Sequence, residues 1–131
     1  MASLTQSGPG EQREHSSVVG ESLDDRTHLL RVNGDPVAVT SKFRALAAGA
    51  IAVGRRVLIV DLGGATRVEG PLAWELSRAS ERMSWRGGRL IVASGGHDVD
   101  GLFEAFALHR PPDVVTTVDD ALAAAGGGAG P

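Results

Sequence analysis

Cysteine is absent from all 131 residues. Disulfides, thiolate nucleophiles and zinc–sulfur sites are therefore excluded, and the chain suits a reducing cytosol. Lysine is nearly absent too: Lys42 stands alone against twelve arginines. With a net charge of −3 and a pI of about 5.7, no basic stripe stands out, so nucleic acid is not an expected partner. Only five residues are aromatic, none of them tyrosine. The core must come from Val, Leu, Ile and Ala, and a 42% hydrophobic content is enough to build one. No apolar run approaches the roughly 20 residues that a membrane span needs, so no span is expected. The amino terminus is polar and lacks a signal-peptide core, and the expected location is the cytoplasm. The scarcity of lysine beside abundant Ala and Gly points to a GC-rich bacterial source.

Catalytic and nucleotide-binding signatures are also missing. There is no G-x-x-x-x-G-K-[ST] loop, no G-x-G-x-x-G after a strand and no G-x-S-x-G elbow. A phosphoacceptor receiver domain would need a strand-end Asp and a later Lys. Here Asp61 lies within a strand, and Lys42 lies in the first helical pattern. The best candidate for a metal or acid–base site is His97-Asp98-Val99-Asp100, where one imidazole and two carboxylates could bind a cation. The stronger reading is structural: Asp98 caps a helix, Asp100 favours its positive end and His97 sits in the loop. The expectation is no catalysis, no cofactor and no metal.

What is present is an alternating pattern of a single domain. Residues 57–62 form an apolar run broken only by Asp61, as in a central strand covered on both faces. Gly63 and Gly64 end it. Pro71 then heads a helical pattern carrying Leu72, Leu76, Ala79 and Met83, stopped by Gly87 and Gly88. Before this unit come a short edge strand at 16–19, a polar turn at 20–26 and a strand at 27–32. The run Asn33-Gly34-Asp35-Pro36 reads as a turn, followed by a helix from 39 or 40 to 53 capped by Thr40 or Ser41. Its apolar stripe is Phe43, Leu46, Ala47, Ala50 and Ile51. After the unit come a strand at 89–94, the Gly95-Gly96 break and a short helix running to Leu108, with Val99, Leu102, Phe103 and Phe106 inward. A strand at 114–118 and a last helix capped by Asp119 complete the series.

The order β, β, α, β, α, β, α, β, α predicts an α/β domain: a mixed, mainly parallel sheet of about five strands with about four helices. Residues 1–14 are expected to be a disordered tail, 15–124 the domain and 125–131 a flexible tail. Right-handed crossovers would bring Asp35, the 63–70 loop and residues 94–96 together at one sheet edge. Ligands and partners usually meet such sheets there. Trp74 and Trp85 lie eleven residues apart on one helix and could share a face.

Several segments in order resemble a STAS domain, the fold of bacterial anti-sigma factor antagonists. They are the turn Asn33-Gly34-Asp35, the strand end Leu58-Ile59-Val60-Asp61-Leu62-Gly63-Gly64-Ala65-Thr66 and the strand start Gly87-Gly88-Arg89-Leu90. The resemblance covers about residues 27–124. It implies a non-enzymatic protein that regulates transcription by binding an anti-sigma factor, usually a GHKL-type kinase. It also allows a homodimer. The implied partner-binding residues are Asp35, Thr66, Arg67, Glu69, Gly70, Pro71, Trp74 and Ser94. Where the family carries Asp-Ser-Ser-Gly, this chain has Glu69-Gly70-Pro71-Leu72. The phosphoacceptor serine thus falls on Gly70, which has no hydroxyl. In the family, phosphate there disrupts docking. Here Glu69 supplies one fixed negative charge at the same helix end. The protein could be an always-on antagonist, a permanently phospho-like one, or a branch with another role. The alternative function is a STAS scaffold subunit of a stressosome-like or lipid-transport assembly.

Overall fold

A computed structural model describes residues 16–106 and 111–129. The expected tail at 1–14, His15, His109 and the far end of the short helix at Leu108 lie outside the described residues. The elements follow the expected order: β1 (Ser17–Ser22), β2 (Thr27–Gly34), α1 (Pro36–Ala52), β3 (Val57–Ala65), α2 (Gly70–Trp85), β4 (Arg89–Ala93), α3 (Asp100–Ala105), β5 (Asp113–Val115) and α4 (Val118–Ala129). The five strands form one sheet in the order β1-β2-β3-β4-β5. β1 pairs antiparallel with β2, and every other pairing is parallel. The hairpin between β1 and β2 is closed by Asp24, whose carboxylate accepts from the N–H groups of Arg26 and Thr27 at 2.8 and 2.7 Å. Those donors hold its pKa below the ordinary value, Arg26 most of all.

Each parallel crossover steps to the next strand in the same direction. Right-handed connections then put α1, α2 and α3 on one face of the sheet. There Phe43, Leu72, Leu76, Met83 and Phe103 pack on Leu30, Val32, Leu58, Val60, Leu62, Leu90 and Val92. Only α4 follows the last strand, and it covers the opposite face, with Ala121 against Leu29, Val57, Ile59 and Ile91. This layer resolves the odd residue of β3. Side chains alternate along a strand, so Asp61 shares the face of Val57 and Ile59 but lies past the cover of α4. It pairs with Arg31 at 3.7 Å, which also reaches Glu21 at 3.8 Å. The expectation of a strand buried on both faces therefore holds for residues 57–60 and not for Asp61.

Several boundaries differ from the sequence reading, each for a local reason. α1 starts at Pro36, because Asp35 is the cap: its carboxylate accepts from the Val37 N–H at 3.0 Å, and proline fits the first turn. Thr40 is inside the helix and donates to the Pro36 carbonyl at 2.6 Å. β3 runs through Gly63 and Gly64 to Ala65, because β2 continues beside it after a bulge between Arg31 and Asn33. β1 extends to Ser22. Val99, not Asp98, caps α3, without a side-chain bond. Thr117 caps α4, its hydroxyl accepting from the Asp120 N–H at 3.1 Å. β5 ends at Val115, and α4 continues to Ala129.

Candidate functional site

Parallel strands all deliver their following loops to one edge, and the loops after β2, β3 and β4 meet there. The first tie is backbone: the Thr66 N–H donates to the Gly34 carbonyl at 2.9 Å, and its hydroxyl reaches the same oxygen at 3.3 Å. The second is ionic. The Arg67 guanidinium spans Asp35, at 3.4 Å, and Glu69, through a short Nε–carboxylate bond. All three side chains are about half exposed. The Glu69 hydrogen bond, then the charges of Glu69 and Asp35, push the Arg67 pKa further up. The third tie is His97, whose Nε2 donates to the Ala65 carbonyl at 3.1 Å. Gly95, at φ +63°, lies so close that a Cβ there would fall 2.5 Å from the Gly63 Cα. The expected meeting of Asp35, the 63–70 loop and residues 94–96 is thus present as direct contacts.

The helix after this loop begins without a side-chain cap, because the Glu69 carboxylate is turned to Arg67. Gly70 occupies the first helical position, with no atom within 4 Å of where its Cβ would be. Pro71 is exposed. One turn on, Trp74 is 46% exposed and packs edge-on against Phe106, ring centroids 5.4 Å apart. Asp35, Thr66, Arg67, Glu69, Gly70, Pro71 and Trp74 therefore share one accessible edge. Ser94 differs. It is 7% exposed, and its hydroxyl accepts from the Gly96 N–H at 3.4 Å, so it supports the turn from below.

The sequence reading did not single out His97 as a brace or Phe106 as the backing of Trp74. Nothing local marks either, since both partners come from other elements. His97, Asp98 and Asp100 do not converge: among the described residues no three His, Cys, Asp or Glu side chains are placed to hold a metal ion. No helix among them is long and apolar enough to cross a membrane.

No protein-family model and no curated protein matches the sequence. Solved structures do. The anti-sigma factor antagonist SpoIIAA in its unphosphorylated form superposes with a TM-score of 0.68 at 17% identity, over 85% of this chain and 99% of that one. An anti-sigma factor antagonist from Mycobacterium paratuberculosis superposes with a TM-score of 0.64 at 15% identity, over 82% of this chain and 92% of that one. The fold is the STAS fold of these antagonists.

Proposed function

We propose that the chain is a non-enzymatic, anti-sigma factor antagonist-like STAS protein of the bacterial cytoplasm, which docks an anti-sigma factor of the GHKL kinase type through the 63–70 loop and the start of α2. The observation that carries this reading is the braced edge itself: Arg67 latches Asp35 and Glu69 beside the half-exposed Trp74. A fixed charged group next to an aromatic is the arrangement that anchors protein interfaces. Gly70 stands at the phosphoacceptor position of the resemblance and offers no hydroxyl. Phosphate would bring about two negative charges to this helix start. Glu69 brings one, already paired with Arg67. That pairing supports an always-on antagonist over a permanently phospho-like one.

The test is a pull-down from native extract followed by titration calorimetry with the captured anti-sigma factor. Glu69→Lys breaks the pairing and sets two cations side by side. It should weaken binding by about 1–3 kcal/mol with the thermal midpoint little changed. Equal affinity for both proteins would remove the loop as the docking surface. A transporter ATPase or a large homo-assembly as the captured species would put the scaffold reading first.

A further inference from the structure

The outer side of the helical layer carries a second surface, away from the braced loops. A groove of about 270 Å³ lies between α1 and α2. Phe43, Ala47, Ile51 and Ala79 form its apolar base, and Arg44, Arg78 and Arg82 line its rim. Arg44 is held by Glu75 at 2.9 Å. Arg78 and Arg82 are exposed and make no ion pair among the described residues. Trp74 lines one end of the groove. Trp85, three turns further along α2 and about 16 Å away at the helical rise, is 82% exposed. Two exposed indoles with unpaired arginines between them are a costly surface for an isolated domain, and Trp and Arg are the residues enriched where partners bind.

We propose that this groove and the adjoining α2 stripe dock an acidic amphipathic helix of a partner protein. A helix laid between α1 and α2 would set its apolar face on the base and its carboxylates against Arg78 and Arg82, the helix-in-groove mode of recognition. The local charge is opposite to that of the chain, whose net is −3, so the complementarity belongs to this place. A two-fold contact with a second copy would set the arginines of one against those of the other. An anionic membrane is matched by clusters of about four to eight basic residues, whereas this groove has Arg44, Arg78 and Arg82, with Arg44 already held by Glu75. The inference does not rest on the loop reading above and shares only Trp74 with it.

Trp74 and Trp85 are the only tryptophans, and tyrosine is absent, so intrinsic emission reports on this stripe of α2. Trp74 also adjoins the loop edge, and the Arg78/Arg82 variant assigns a shift to the groove. The probe is a synthetic helical peptide with Leu and Ala on one face and Glu on the other. Its control carries Lys in place of each Glu. The Glu peptide should give a saturable blue shift that weakens as salt is raised, with an affinity about tenfold lower in the Arg78→Gln/Arg82→Gln protein. Circular dichroism verifies that the double variant is folded, and the salt series on the unmodified chain stands without it. The proposal is overturned by no shift with the Glu peptide, by an equal shift with the Lys peptide, or by unchanged affinity in the folded double variant. It is also overturned by a shift on raising protein concentration alone, which would indicate self-association. A shift with phosphatidylglycerol vesicles but not with the peptide would indicate a lipid surface instead.

Discussion

Gly95 sits where the loops after β3 and β4 touch, and a single methyl group there tests the geometry of the whole edge. Two costs arise in Gly95→Ala. The backbone at φ +63° is left-handed, which costs a residue with a Cβ about 1–2 kcal/mol. The new carbon would also lie 2.5 Å from the Gly63 Cα and 3.0 Å from its nitrogen, against an ordinary carbon–carbon separation of about 3.5–4.0 Å. Backbone rather than a flexible side chain must give way, and such overpacking adds about 1–3 kcal/mol. The sum is about 2–5 kcal/mol. Two neighbours separate the terms. Gly96 has φ +94° but open space around its Cβ position, so Gly96→Ala should show the strain alone, about 1–2 kcal/mol. Gly70 is helical with open space, so Gly70→Ala should be neutral or stabilising by up to about 1 kcal/mol. Urea and thermal unfolding of the three variants measure this directly. If Gly95→Ala and Gly96→Ala lost the same stability, the loops would not be in contact and the braced edge would be wrong.

The same open space means that Gly70→Ser should fold normally, yet it need not restore kinase recognition, because Pro71 still replaces the second hydroxyl residue. In the natural sequence, the cognate kinase with ATP should leave residues 63–72 unmodified; Ser77, Ser80 and Ser94 are buried, so stoichiometric phosphate on exposed Thr66, found by phosphopeptide mapping, would rescue a switch and refute the claim. Ile59 is fully buried under α4, and Ile59→Asp would place an unpaired carboxylate there at a cost of several kcal/mol; an unchanged thermal midpoint would mean that β3 is not central. The pKa of His28 is lowered, first by burial and then by the charge of Arg55. The unfolded chain therefore takes up the proton first, and stability present above pH about 6.5 should fall as pH drops through that value toward the lower folded pKa. Unfolding midpoints against pH should show this slope, and His28→Gln should flatten it; an equal slope in both proteins would place the titration elsewhere.

Hydrophobic periodicity is a local property, so the order of strands and helices and the apolar faces of α1 and α2 were legible in the sequence. The same holds for Pro71 at a helix start, the stop at Gly87 and the exposure of the loop before that helix. The STAS resemblance rested on that order and on short turn motifs, and the fold bears it out. Boundaries were less legible, because Asp35-Pro36 serves equally as a turn or as a helix cap with its first residue, and only the Val37 N–H decides. Other features depended on distant partners. Arg67 and Asp35 are 32 residues apart, as are His97 and Ala65, and no spacing rule encodes either contact. Ser94, at a strand end, was expected among the partner-binding residues, but it is buried beneath the turn folded over it. Asp61 looked misplaced in an apolar strand until the short reach of α4 left its half of the sheet open. Local spacing determines which residues can form a strand or a helix. Which side chains meet, and which remain in water, is settled only when the sheet stacks the loops on one edge and a single helix covers part of the opposite face.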